Sequence, residues 1–235
     1  MKKLLIIPTY NESANIGPLL KSVREHVPDM HVLIIDDNSP DGTGKMADEL
    51  AREYADVSVI HRAGKMGLGS AYVTGFKKAL ADGYDLICQM DADFSHDPSY
   101  LPAILKGMQD HDVMIGSRYI KGGGTRNWGI HRRILSRTSN FVARLILGIG
   151  VRDCTGGFRC YKRHVIEAIH PDAIFSNGYS FVEEVLYKAL KSGARAGETP
   201  IVFVERRHGK SKISKREIFK AMLTLLKLRF GGGEK

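Results

Sequence analysis

Over its first 117 residues the chain alternates between short apolar runs of strand length and longer stretches with helical spacing. The runs KLLIIPTY (3–10), HVLIIDD (31–37), VSVIH (57–61), YDLICQMD (84–91) and DVMIGS (112–117) read as buried strands. Between them, 12–27, 43–55, 68–83 and 98–110 place apolar residues at helical spacing, and Gly83 is a helix C-cap signal. Repeated strand–helix units predict an α/β fold with a mostly parallel central sheet and helices on both faces. Right-handed crossovers then put ligands at the carboxyl ends of the strands.

That rule gives the acidic residues a common address. Pro8, Tyr10 and Glu12 follow the first strand, Asp36 and Asp37 end the second, and Asp91 and Asp93 end the fourth. All are expected on one edge of the sheet. In QMDADFSHDP (89–98), two carboxylates at i and i+2 can share one hard cation, with phosphate oxygens completing its shell. Such a pair alone also fits solvated turn residues; the strand-end placement favours the cation. Asp97, just before Pro98, fits a helix cap. In IIDDNSPDGT (34–43), Ser39 or Asp41 fits a cap for the next helix, while a strand-end carboxylate can accept hydrogen bonds from a base or ribose. Gly67 and Gly69 in KMGLGSAYVTG (65–75) resemble part of a dinucleotide fingerprint but lack its third glycine and follow the third strand. Opening a helix, they can still receive an anion.

The second half is less regular. KGGGTRNWG (121–129) reads as a mobile glycine-rich loop carrying the only Trp, 131–148 as a helix, and RDCTGGFRCYK (152–162) as a turn-rich stretch. Residues 181–193 read as a helix, 199–207 as a late strand, and 214–230 as a basic amphipathic helix. Two units follow: 1–213, and a helix with its tail at 214–235. From Ser117 to Arg163 there are eleven Lys and Arg against a single acid, Asp153, and only Lys121 and Lys162 are lysines. Arg118, Arg132, Arg133, Arg137 and Arg159 therefore suggest a phosphate clamp, the arginine fork matching phosphate oxygens; the plain alternative is a solvated basic face. The net charge of +9 agrees with an anionic partner: nucleic acid, phosphorylated ligand or anionic membrane. A nucleic-acid module would interleave aromatics with the basic residues and would not line its strand ends with acids, so no nucleic-acid partner is expected. Three cysteines without metal-ligand spacing fit reduced thiols. The apolar run before Pro8 is short for a signal peptide, and no stretch reaches the roughly 18 apolar residues that span a bilayer. The 214–230 helix either packs on the core or lies on an anionic bilayer.

PTYNE, DDNSPDGT, GLGSAY, DADFSHDP, GSRYIKGG, DCTGGFR, FVEE and ERRHGKSK stand in this order. Together they resemble the family 2 glycosyltransferases, and closely the dolichyl-phosphate (polyprenol monophosphate) mannose synthases, from Ile7 to about Ser214. The resemblance implies a GT-A fold and inverting, metal-dependent transfer of mannose from GDP-mannose to a polyprenyl (dolichyl) phosphate. It implies that Pro8, Tyr10, Glu12, Ile35 and Asp37 line the guanosine pocket. Asp91, Ala92 and Asp93 would meet the diphospho-sugar, with Asp91 and Asp93 holding Mg2+ or Mn2+ and Asp93 the firmer ligand. Arg118, Arg206 and Lys212 would contact donor or transferred phosphate, and Arg132 or Arg133, with Ser136, the lipid phosphate. On this reading Asp93, Arg118, Arg132 and Arg206 carry catalysis. Ser95 departs from the pattern, standing where some relatives have a Gln ligand. Many relatives also carry C-terminal transmembrane helices, so this chain is expected to act peripherally on the cytoplasmic membrane face, through its last helix or a partner subunit. Transfer of glucose or another sugar from a UDP-sugar, or to another acceptor, is the alternative.

Overall fold

A computed structural model describes the chain apart from residues 179, 206–214 and 232–235; for 215–220 it describes the backbone alone. Five predicted strands form: β1 (Lys3–Thr9), β2 (His31–Asp36), β3 (Val57–His61), β4 (Leu86–Gln89) and β5 (Val113–Ser117). The helices between them are α1 (Ser13–His26), α2 (Thr43–Glu53), α3 (Leu68–Ala81) and α4 (Leu101–Gly107). A single 3-10 turn, Pro98–Tyr100, takes the first part of the predicted 98–110 helix, and Asp97 caps it by accepting from Ser99 N at 2.9 Å. Gly83 adopts a left-handed φ of 74° just past α3, as its C-cap signal predicts.

Later elements are β6 (Gly124–Arg126), α5 (Ile130–Leu147), β7 (Arg159–Lys162), α6 (Arg163–Ala168), α7 (Phe181–Lys191), β8 (Ala196–Pro200), β9 (Val202–Val204) and α8 (Lys215–Phe230). The main sheet has the order β3-β2-β1-β4-β7-β5-β8, and β6 pairs separately with β9. Only β7 runs antiparallel within the main sheet. Alternate residues of β1 explain the layers. Leu4 and Ile6 face one core with α3, α6 and α7, while Leu5 and Ile7 face another with α1, α2 and α4. Both sides are fully buried, which is why these strands read as continuous apolar runs.

Three readings of the second half need correcting. The 152–162 stretch is turn-rich only as far as Phe158; RCYK then forms β7, inserted between β4 and β5. A four-residue strand with a charged residue at each end, placed after two glycines, carries no strand signal of its own. The 121–129 loop is paired as β6 against β9, and Trp128 is 7% exposed. Its partner strand lies far along the chain, so local glycine content pointed to mobility. The 199–207 strand is two pieces, β8 and β9, because Pro200 ends the first. The last helix packs partly on α5 and α7, with Leu225 buried in the core.

Candidate active site

Sheet polarity decides which residues meet. β1, β2 and β4 are mutually parallel, and β5, antiparallel to β7 as β4 is, points the same way. Segments 10–12, 37–41, 90–97 and 118–120 therefore leave the sheet at one edge, and the segment entering β7 arrives there. The chain steps from β1 outward to β2 and β3, then returns to β4 on the other side of β1. That reversal is the crevice where open α/β sheets bind ligands. Three of these strand-end loops hold a non-glycine residue in the left-handed region: Asn11 (φ 62°), Asn38 (φ 55°) and Phe94 (φ 58°). Such conformations concentrate where a loop must present groups in a fixed direction.

The first loops carry the residues expected on the nucleotide side of the crevice. Pro8 and Tyr10 are half-buried at the end of β1, and Lys65 lies 4.2 Å from the Tyr10 ring centroid. Glu12 is half-buried, accepts from Asn15 Nδ2 at 2.7 Å, and its backbone N donates to Thr43 Oγ1 at 2.9 Å. Asp36 is spent on structure, accepting from Thr9 Oγ1 (3.0 Å) and from Ser39 N and Oγ. Asp41 accepts from the Thr43 N and Oγ1 at the start of α2; burial works against it, but these bonds and one from Ser13 N hold its carboxyl at about 2. Asp37 is buried and paired with Arg62 at 2.5 Å. Ile35 is wholly buried within β2, between β1 and β3, so the expected guanosine-pocket role does not match its place in the core. The glycines at 67 and 69 do not wait for an anion. A Cβ on Gly69 would sit 2.5 Å from Ser176 O, and Asn177 already accepts from the Gly69 and Ser70 amides. They allow close packing, and the Gly67 carbonyl helps hold Arg62.

The fourth loop is the candidate metal and diphosphate site. Asp91 has a side chain 36% exposed; Ala92 and Asp93 are buried. Asp93 Oδ1 accepts from Ser95 N at 3.0 Å. Asp91 N donates to His96 Nδ1 at 3.2 Å, which requires a neutral ring protonated on Nε2; burial pushes the His96 pKa down in agreement. One buried hydroxyl here, Ser95 Oγ, has no hydrogen-bond partner among the described residues. Burial raises the Tyr72 pKa well above its ordinary value, and the neighbouring Asp91 carboxylate adds to it. Two carboxylates with an orphaned hydroxyl beside them fit a divalent cation. Among the described residues no group of three or more His, Cys, Asp or Glu surrounds a common point. A cation held by Asp91 and Asp93 would have only part of its shell from these two side chains and would leave positions for water and phosphate oxygens.

The arginines form the opposite wall. Arg118 is buried, donates from Nε and Nη2 to Asp153 (2.8 Å each) and from Nη2 to Thr155 Oγ1 (2.8 Å). Burial opposes both charges, yet the pairing lowers the Asp153 pKa and raises that of Arg118. Tyr119, Trp128 and Phe203 ring the Arg118 guanidinium at 5.2, 5.9 and 5.6 Å. Arg132 donates to Glu205 at 2.8 Å and lies 4.1 Å from the Trp128 ring. Arg133 and Arg137 are exposed, and Ser136 Oγ is 2.7 Å from Tyr119 Oη. Arg159 is a correction to the phosphate clamp: it is fully buried inside the sheet, donating to the Cys154 and Val182 carbonyls. Arg206 and Lys212 lie outside the described residues.

Motif reading passed over Arg62, Tyr72, His96, Asp153 and Phe203 as site residues. His96 and Tyr72 stood inside quoted motifs, and Asp153 was the lone acid of the arginine-rich stretch, so each carried a signal. Arg62 and Phe203 carried none.

Residues 4–169 match the model of Glycosyl transferase family 2. The chain is 45% identical over 223 residues to a polyprenol monophosphomannose synthase of Mycolicibacterium smegmatis, covering 94% of this chain and 84% of that one. It is 44% identical over 214 residues to an undecaprenyl-phosphate mannosyltransferase of Micrococcus luteus, covering 91% and 88%. A solved mannosyltransferase from Pyrobaculum calidifontis, in complex with GDP-Man and Mn2+, superposes with a TM-score of 0.60 at 16% identity, covering all of this chain and 76% of that one. The chain has the GT-A fold and belongs to the family 2 glycosyltransferases.

Proposed function

We propose that this glycosyltransferase moves mannose from GDP-mannose to a polyprenyl phosphate with inversion at the anomeric carbon. The observation that carries the reading is the convergence of a strand-end carboxylate pair, Asp91 and Asp93, with an arginine wall, Arg118, Arg132 and Arg133, on one sheet edge. The names and close identity of the two bacterial relatives support the lipid phosphate and mannose, and the archaeal neighbour's ligands support GDP-mannose.

Pro8, Tyr10, Glu12 and Asp37 bind guanosine. Asp91 and Asp93, with Ser95 Oγ near them, hold Mg2+ or Mn2+; when bound, the cation offsets charge on the departing diphosphate. The acceptor, a phosphate monoester with a second pKa near ~6, is already nucleophilic at neutral pH. Its oxygen attacks the anomeric carbon from the face opposite GDP; the bond to GDP breaks and GDP leaves with the electron pair. No general base is required, so positioning and charge stabilisation carry the rate. Arg118 and either Arg132 or Arg133, with Ser136, seat the phosphate, and Arg206 and Lys212 assist with the donor.

Residues 1–213 form the transferase body, and 214–235 add a docking helix and its tail. No helix among the described residues is long and apolar enough to cross a membrane. The lipid is reached instead from the cytoplasmic membrane face. Ile130, Ile134, Phe141 and Leu145 of α5 are 59–72% exposed, and Leu223, Leu226 and Phe230 of the neighbouring α8 are exposed too. At helical spacing the four α5 residues share one face, flanked by Arg133 and Arg137, a pattern suited to an anionic interface. Donor and acceptor profiling tests the proposal: GDP-mannose against UDP-glucose, each with polyprenyl phosphate and Mg2+ or Mn2+. Mannolipid formed from GDP-mannose alone is the expected product; efficient glucosyl transfer from UDP-glucose would overturn the donor assignment.

A further inference from the structure

The Trp128 indole is enclosed by residues from every part of the arginine wall. Its ring lies 4.1 Å from the Arg132 guanidinium and 5.9 Å from that of Arg118. Phe203 meets it edge-on at 5.3 Å. Phe203 also meets His96 at 5.2 Å, and His96 accepts from the Asp91 amide. A continuous path of contacts thus runs from a candidate cation carboxylate to a candidate acceptor arginine. The backbone follows the same path: β6 pairs with β9, and Val204 N donates to Ser95 O at 3.2 Å. Trp128 Nε1 is buried and has no hydrogen-bond partner among the described residues. Packing area alone is a poor reason to bury an indole with its N–H unsatisfied, because the lost hydrogen bond opposes the gain.

We infer that Trp128 is a positioning residue for the acceptor phosphate: its ring face orients Arg132, and with Phe203 it walls Arg118, so both guanidiniums address one incoming phosphate. An arginine has many rotamers, and laying its plane on an aromatic face removes most of them before the ligand arrives. Glu205 fixes the other side of Arg132. The inference rests on the acceptor reading of Arg118 and Arg132 given above.

Because Trp128 is the only Trp of the chain, tryptophan emission excited beyond the tyrosine absorption band reports on this site alone. The first test titrates the wild-type protein with geranylgeranyl phosphate in detergent micelles. Emission should change and saturate, while geranylgeraniol in the same micelles leaves it unchanged. The second test is steady-state transfer. Trp128→Leu should raise the acceptor KM about tenfold, with the GDP-mannose KM within about twofold. Trp128→Phe, which keeps a ring face, should restore most of that loss. An unmoved emission, an unchanged acceptor KM in Trp128→Leu, or an equal rise in both KM values would overturn the inference. The titration needs no variant, so it decides the question even where Trp128→Leu fails to fold. Failure of the functional reading itself appears separately, as absence of mannolipid from the wild-type assay.

Discussion

Residues 1–117 reach the edge of the sheet with acids at the ends of parallel strands, whereas 118–205 reach it with arginines already fastened to other side chains. In the first region the functional groups follow from the strands directly: Asp37, Asp91 and Asp93 stand where β2 and β4 stop. In the second, Arg118, Arg132 and Arg159 each take a partner from elsewhere in the chain. Arg118 takes Asp153 from the loop before β7, Arg132 takes Trp128 and Glu205, and Arg159 is drawn wholly inside the sheet. The difference is physical. A carboxylate at a strand end is placed by the strand and by bonds from its own loop, as Asp93 is by Ser95 N, while a guanidinium set beside a sheet must be held by charge, aromatic faces or carbonyls to keep one orientation.

The largest loss should come from the acidic side. Asp93→Ala should lower transfer about a thousandfold or more with metal present, because the leaving diphosphate loses its charge stabilisation. Near-wild-type turnover would remove Asp93 from the donor site. Next, Asp153→Asn should destabilise the fold by about 3–5 kcal/mol in urea unfolding, since it strands a buried Arg118 charge. A change below about 1 kcal/mol would show that the pair contributes little to this wall.

Buried charge in the second region also predicts a pH dependence. Burial raises the Glu183 carboxyl to about 7, against the lowering effect of Arg159. Between its ordinary value and about 7 the folded form holds a proton that the unfolded form has released. Stability from this group is therefore complete at low pH and falls as pH rises toward 7, by on the order of 3 kcal/mol. Glu183→Gln removes that decline, so its Tm advantage over wild type should be larger at pH 8 than at pH 5. An equal difference at both values would contradict the assignment. The smallest effect concerns the outer face. Replacing Phe141 and Leu145 by Ser should weaken sedimentation with anionic liposomes several-fold while leaving GDP-mannose binding intact, each residue losing on the order of 1 kcal/mol of apolar contact. Unchanged sedimentation would move the membrane contact elsewhere.

Sequence periodicity located β1 to β5 and the acids at their ends, because those strands are buried on both faces and bounded by turn residues. It did not reveal β7, whose Arg159 and Lys162 look like surface residues until β4 and β5 close around them. The same limit hid β6, the burial of Trp128 and the Asp37–Arg62 pair, since each depends on a partner distant in the chain. The arginine excess suggested a stretch that meets anions but did not separate Arg132, beside the indole, from Arg159, which supports the sheet.

On the proposed division of labour, the strand-end acids serve the donor and Arg132 or Arg133 the acceptor. Equilibrium binding of GDP-mannose with Mn2+, and of geranylgeranyl phosphate, to wild type, Asp93→Asn and Arg132→Ala/Arg133→Ala tests it most directly. The account predicts a double dissociation: Asp93→Asn loses the metal-dependent sugar nucleotide and keeps the lipid phosphate, and the arginine double variant does the reverse. Loss of the same ligand by both variants would contradict it.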